Sequence, residues 1–289
     1  MSAATDETVR PAPATGRDPD RLARVVLYAL LLLGVVITLS PLVWTAASSF
    51  RPSGEILRQG SWLTGTWTGE NFRALWSDPL FPRYFLNSVV VSAAIVAGNI
   101  VLASGVGYAL AKLPFPGRRL VFGAVLVTFM IPSLMLFVPL FVTVAFLNMT
   151  NTYAGLILPF LVTPLGVFVM RQFIGQLPDE LLEAARIDGA GEGRIFFRIV
   201  FPLCRPAIAT VGILSFVTSW NNLLWPLVVA QREEMYTLPV ALATLSSSEG
   251  AVSYGPLMAG SLVTILPIVI VFIFFQRYFV AGIASTGIK

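Results

Sequence analysis

Residues Glu183 to Pro202 read EAARIDGAGEGRIFFRIVFP. The stretch is polar and charged, and it separates two long apolar runs. From Arg171 to Arg205 the chain carries five Arg and five acids: Asp179, Glu180, Glu183, Asp188 and Glu192. Pro178 suits the first position of a helix, where its missing N–H costs nothing. Asp179 and Glu180 then fall in the first turn, where acids favour the helix dipole. Gly189 is placed to stop that helix in a left-handed C′ position. After Gly189, Gly191 and Gly193 a second short helix is expected to Val200, ending before Pro202. Ile195, Phe196, Ile199 and Val200 form an apolar stripe along it, and Arg194 and Arg198 share another face. Residues 178–202 are therefore expected to form a helix–turn–helix with one apolar and one charged side.

The flanking composition is that of a membrane protein. Of 289 residues, 56% are hydrophobic and 12% charged, against about 25% charged in a soluble domain. Six runs approach or exceed the length needed to cross a bilayer: 25–44, 87–111, 120–146, 153–170, 207–230 and 257–276. None contains Lys, Arg, Asp or Glu. The expected fold is an all-α integral membrane protein with six transmembrane helices. Residues 1–24 read as a disordered tail, rich in Pro, Ala and charge. Residues 25–44 read as the first transmembrane helix and 45–86 as an external loop. Residues 87–277 hold five further spans, and 278–289 form a C-terminal tail. With six spans, 14 of the 19 Lys and Arg fall on the side shared by both termini. That excess places both termini and the charged hairpin in the cytoplasm.

Several chemistries are excluded. The chain has no His, so Ser–His hydrolysis and His-ligated metal are absent. No metal site is expected. No span holds a carboxylate, which argues against an ion-coupled secondary carrier. No phosphate-binding loop of the form G-x-x-x-x-G-K-[ST] occurs, so energy for uphill transport must come from another chain. The net charge of +4 reflects the topology bias. No basic stripe with interleaved aromatics marks a nucleic-acid surface.

The hairpin resembles the EAA loop of ABC importer permeases. That pattern is EAA, three residues, Gly, nine residues, then I-x-L-P. Here it reads Glu183-Ala184-Ala185, Gly189, then Ile199-Val200-Phe201-Pro202, with Phe201 in place of Leu. NSVVVSAA at 87–94, FMIPSLMLFVPL with Pro132 and Pro139, TYAGLILP at 152–159 and SWNNLLWPL at 219–227 are similar to the carbohydrate-type branch. They resemble the smaller, six-span subunit of maltose-like importers. The resemblance implies a type I ABC importer permease in a bacterial or archaeal plasma membrane. It implies a non-catalytic subunit that forms half of a sugar path, with a second homologous permease, two ATP-binding subunits and an external solute-binding protein as partners. ATP and Mg would bind the partner ATPase, with no cofactor on this chain. It assigns Glu183, Ala184, Ala185, Arg186, Asp188, Gly189, Arg194, Ile199 and Pro202 to the ATPase-coupling interface. Polyols and glycerol phosphates are alternative solutes. The competing classes are a membrane scaffold without a path and a secondary carrier; the hairpin argues against the first and the charge-free spans against the second.

Polar residues within the spans are the candidates for lining a path, since a polar stripe in an apolar helix must face protein or water. In the fifth run Ser215, Thr218, Ser219 and Asn222 fall on a stripe roughly 100° wide. In the second, Ser88, Ser92 and Asn99 share one face. Each stripe serves equally as glue between helices. Trp220 offers an aromatic face for a sugar, or with Trp225 an interfacial anchor. Pro132 and Pro139 are expected to break the third run into a kink or re-entrant turn. The loop 231–256, with Ser246, Ser247, Ser248 and Tyr254, is expected to face outward. Cys204, the one cysteine, is expected to be a small apolar filler.

Overall fold

The computed structural model describes residues 19–57, 65–247 and 253–286, and among them every regular element is helical. In chain order the helices begin with α1 (Pro19–Ser49), α2 (Glu70–Ser77), α3 (Phe81–Lys112), α4 (Arg118–Met130) and α5 (Ser133–Phe146). They continue with α6 (Tyr153–Phe160), α7 (Pro164–Gly175), α8 (Asp179–Ile187) and α9 (Glu192–Leu203). The last four are α10 (Arg205–Trp220), α11 (Leu224–Val229), α12 (Leu238–Ser247) and α13 (Tyr254–Thr286). Helices satisfy their own backbone groups, which a bilayer interior demands.

Helices α1, α3 and α13 are each long and apolar enough to cross a membrane unbroken. Three further spans arise only if bent pairs are counted: α4 with α5 at 104°, α6 with α7 at 42°, and α9 with α10 at 81°. The third apolar run is thus two helices meeting at Ile131 and Pro132, as its prolines predict. Pro132 supplies the break, whereas Pro139 sits inside α5. The bend between α6 and α7 falls at Thr163-Pro164, where the Thr163 hydroxyl accepts the Gly166 N–H at 3.1 Å and caps α7.

Several expected boundaries are corrected. α1 starts at Pro19, inside the expected tail, because proline suits the first helical position; it runs past Trp44 to Ser49. Residues 1–18 lie outside the described residues. α3 starts at Phe81, six residues before Asn87, with Pro82 in its first turn. The expected external loop 45–86 therefore contains α2 and the start of α3; Asn71 ties it down by donating to the carbonyls of Ser49 (2.8 Å) and Arg51 (2.6 Å). The fifth run ends as a helix at Trp220, since Asn222 turns its carboxamide oxygen onto the Trp225 N–H at 3.3 Å and starts α11. The loop 231–256 contains α12, whose Leu238, Val240 and Ala241 are buried, and Tyr254 already belongs to α13; Ser248 lies outside the described residues. α13 continues to Thr286, past the expected boundary at 277, because no proline follows Pro267.

α3 is central, packed against α7, α10 and α12. Gly107 permits the approach to α7: a Cβ there would stand 2.9 Å from the Arg171 backbone nitrogen and the Met170 Cβ. α1 lies along α13 and leaves nearly all its apolar side chains exposed, as a lipid-facing or partner-facing helix does.

Candidate functional site

Two features follow from this packing, the charged hairpin and a cavity beside α10. The hairpin is α8 and α9. α8 closes in a Schellman motif: Gly189 adopts φ +77°, its N–H reaches the Arg186 carbonyl, and the Ala190 N–H reaches the Ala185 carbonyl, both at 3.0 Å. α9 runs through Pro202 to Leu203 instead of ending before it, with a π-helical turn over Phe196–Val200. Pro202 has no N–H to give, and the wider π turn absorbs that gap in the ladder.

The inner face of the hairpin is Leu182 and Ala185 against Ile195, Phe196 and Val200. These continue into Tyr108 of α3 and Met170 and Ile174 of α7, so the hairpin is packed onto the spans. Cys204 is buried in the same cluster, the filler its sequence context suggests. Glu183, Ala184, Arg186, Asp188, Gly189 and Arg194 are exposed on the outer face, and Ile187 beside them is 87% exposed. Ala185 is buried, and Ile199 and Pro202 are half-buried, so these three hold the hairpin together.

Polar clamps fix its position. Arg186 Nε donates to Glu192 Oε1 at 2.8 Å, and the Tyr108 hydroxyl donates to Glu192 Oε2. Lys112 at the end of α3 donates to Asp179 Oδ1 and to the Leu177 carbonyl, each at 2.6 Å. The Arg186 hydrogen bond, then that of Tyr108, holds the Glu192 carboxyl below its ordinary range. The Lys112 hydrogen bond does the same for Asp179. A carboxyl lowered on folding adds stability above its ordinary pKa and loses it as pH falls through the lowered value. Glu192→Gln is expected to lower thermal stability by about 0.5 kcal/mol at neutral pH, since the pair is part-exposed. That difference from wild type should shrink as pH falls below the ordinary value of 4.5 and vanish below the lowered one. A melting series against pH measures it; a difference that grows on acidification contradicts the assignment.

The cavity, about 350 Å³, carries Ser215, Thr218, Ser219 and Asn222 from α10 and its following turn, faced by Ser133 and Thr163, on a wall otherwise made of apolar residues such as Phe129, Phe160 and Leu214. Ser219 and Asn222 also border a small pocket that Ser88, Ser92 and Thr237 share with apolar residues such as Val91 and Leu156. The hydroxyls of Ser92, Ser219 and Thr237 are buried there with no hydrogen-bond partner in the protein. No lining residue of either space is charged. Such a surface offers hydroxyl donors and acceptors to a neutral polar solute.

The sequence-derived candidates divide. The α10 stripe stays together on the cavity wall. Ser88 accepts the Leu238 N–H at 2.7 Å, so it joins α3 to α12. Asn99 does not share the site of Ser88 and Ser92. It donates to the Ile95 and Phe160 carbonyls and accepts from the Thr163 N–H and hydroxyl, locking the α6–α7 break. Trp220 is buried against Phe216 and Phe85 and donates to the Thr264 carbonyl at 2.9 Å, away from the cavity. Trp225 is likewise buried and donates to the Gly155 carbonyl at 3.0 Å, so neither is an interfacial anchor. Sequence reasoning missed Ser133, Thr163 and Thr237. The Thr163-Pro164 capping signature was a usable signal for the second. Thr237 lies between helices, where no periodicity exists to place it.

Residues 99–285 match the family model for binding-protein-dependent transport system inner membrane components. The arabinooligosaccharides transport system permease protein AraQ of Halalkalibacterium halodurans is 46% identical over 91% of this chain and 97% of its own. The sn-glycerol-3-phosphate transport system permease protein UgpE of Yersinia pestis is 34% identical over 90% of this chain and 95% of its own. The fold is shared with a chain in the crystal structure of a bacterial ABC transporter involved in import of the acidic polysaccharide alginate, with TM-score 0.82 and 23% identity. That match covers 93% of this chain and all of the other. A fold of this kind, a family match across the core and close relatives along nearly the whole length agree: this chain is a multi-pass membrane protein of the binding-protein-dependent transport system inner membrane component family.

Proposed function

We propose that this chain is a permease subunit of an ATP-driven importer for a neutral sugar or oligosaccharide, and that the cavity beside α10 is part of its path. The observation that carries the solute class is that the polar groups on the otherwise apolar cavity wall are all uncharged, five hydroxyls and one carboxamide. A glycerol phosphate would want a guanidinium or ammonium partner, and none lines either space. The relative named for arabinooligosaccharides supports a sugar; the one named for glycerol phosphate keeps that alternative testable. The absence of a carboxylate in the cavity disfavours a secondary carrier, and the polar stripe of Ser215, Thr218, Ser219 and Asn222 facing the cavity disfavours a scaffold.

In this reading the exposed face of α8 and α9 seats on a separate ATPase, which holds ATP and Mg. A second permease completes the path, two ATP-binding subunits drive it, and an external binding protein delivers the sugar. Both termini lie in the cytoplasm, as the Lys and Arg bias directs.

Asn222→Ala, assayed in vesicles with the partner subunits, is expected to lower uptake about three- to tenfold, the value of one hydrogen bond to the solute. Basal ATP hydrolysis should stay near wild type. A cysteine placed at Asn222 should react with a small hydrophilic thiol reagent in a manner that depends on ATP; native Cys204 is buried and leaves the assay clean. A position 222 thiol that never reacts, with uptake unchanged in the alanine variant, removes Asn222 from the path. Competition of uptake by glycerol phosphate but not by sugars overturns the solute class.

A further inference from the structure

A further cavity lies beside the hairpin, outside both features above. The turn between α3 and α4 and the side of α7 enclose an open cavity of about 770 Å³, lined by Pro114, Phe115, Arg118, Arg119, Leu120 and Arg171 among others. No acid lines it. Among the described residues, neither Arg118, Arg119 nor Arg171 forms an ion pair. Lys112, the nearest other cation in sequence, is already taken by Asp179 and the Leu177 carbonyl.

The arrangement is electrostatically uphill as it stands. Arg118 and Arg119 occupy the first turn of α4, a 13-residue helix, with no acid in that turn and no capping side chain from Gly117. The positive end of the helix dipole disfavours cations there and favours an anion. Arg171 adds a third guanidinium. It lies 3.7 Å from the Phe122 ring centroid, and its buried Nε has no hydrogen-bond partner. Guanidinium groups present planar forks of donors that match phosphate oxygens.

Apolar surface adjoins the charge. Leu120 is 80% exposed, and α4 has no buried residue along its length, exposing Val121, Val127 and Met130. A soluble anion has no use for that surface, whereas an acyl chain does. The loop belongs to the side rich in Lys and Arg, where anionic lipids concentrate in a cell membrane. We infer that Arg118, Arg119 and Arg171 form a binding site for an anionic phospholipid of the cytoplasmic leaflet, its phosphate between the guanidinium groups and an acyl chain along α4.

The test uses the assembled transporter in nanodiscs of phosphatidylcholine mixed with phosphatidylglycerol, with retained lipid counted by native mass spectrometry. Wild type is expected to retain phosphatidylglycerol preferentially. Arg119→Gln, at an exposed position with no fold at risk, should reduce that preference about fivefold, and adding Arg171→Gln should reduce it about fivefold again. Arg119→Lys should keep more of it than Arg119→Gln. Equal retention in wild type and both glutamine variants overturns the site. Release of the lipid by inorganic phosphate also overturns it, by showing a free-anion site. Loss of a partner subunit from the variants with lipid retention unchanged shows that the arginines seat a protein instead. The readout is binding, so it stands apart from any result on the solute.

Discussion

Gly189→Val is expected to remove most sugar uptake and most solute-stimulated ATP hydrolysis while the chain still inserts and assembles. The cause is the backbone. Gly189 adopts φ +77°, a region β-branched residues resist at a cost of about 1–2 kcal/mol. A Cβ built at Gly189 meets nothing within 4 Å, so crowding is not the issue. The strain acts on the two bonds that close α8, from Gly189 and Ala190 to the carbonyls of Arg186 and Ala185. Losing them lets the turn open, which displaces Glu183, Arg186 and Asp188 relative to α9. One to two kcal/mol corresponds to about a 5–30-fold fall in the correctly turned population. Gly189→Asn is the control, because asparagine tolerates the left-handed region; it should retain much more activity than valine. Immunoblotting of membranes establishes insertion, and uptake into vesicles with the partner subunits measures coupling. Wild-type uptake in the valine variant rejects the hairpin as the coupling element.

Asn99→Ala is expected to damage the fold more than any path residue would. Asn99 is fully buried, and its carboxamide satisfies the Phe160 carbonyl at 2.8 Å and the Thr163 N–H at 2.9 Å. Both groups lie at the break between α6 and α7, where neither helix supplies them a partner. Alanine strands them inside the protein, at a cost of about 2–4 kcal/mol. A thermal melt of the purified protein in detergent should show a large downward shift, together with poor assembly. Asn222→Ala, which loses only the long 3.3 Å cap of α11, should melt far less below wild type than Asn99→Ala, by about 0.5–1 kcal/mol. If the two variants behave alike in stability and differ only in uptake, Asn99 is a path residue and the geometry assigned to it is wrong.

The sequence by itself determined the class and the hairpin. Charge-free runs of about 20 residues have one stable outcome in a bilayer. Gly189 with the acids at 179 and 180 dictates where α8 starts and stops, because these are local effects of backbone freedom and dipole. The stripe of Ser215, Thr218 and Ser219 was legible for the same reason: helical periodicity alone places them on one side. What lies opposite that stripe was not legible. Asn99 and Ser88 share helical spacing with Ser92, yet Asn99 is committed to the α6–α7 break and Ser88 to α12. Trp220 and Trp225, read as solute-facing or interfacial, are core residues because Thr264 and Gly155 offer carbonyls to their indole N–H groups. Periodicity reports the face of one helix. Which neighbour meets that face depends on helix breaks at residues 131–132, 161–163 and 221–223, and on contacts between segments more than 60 residues apart in sequence, such as Asn99 with Phe160 and Thr163. Only the packed tertiary structure decides those.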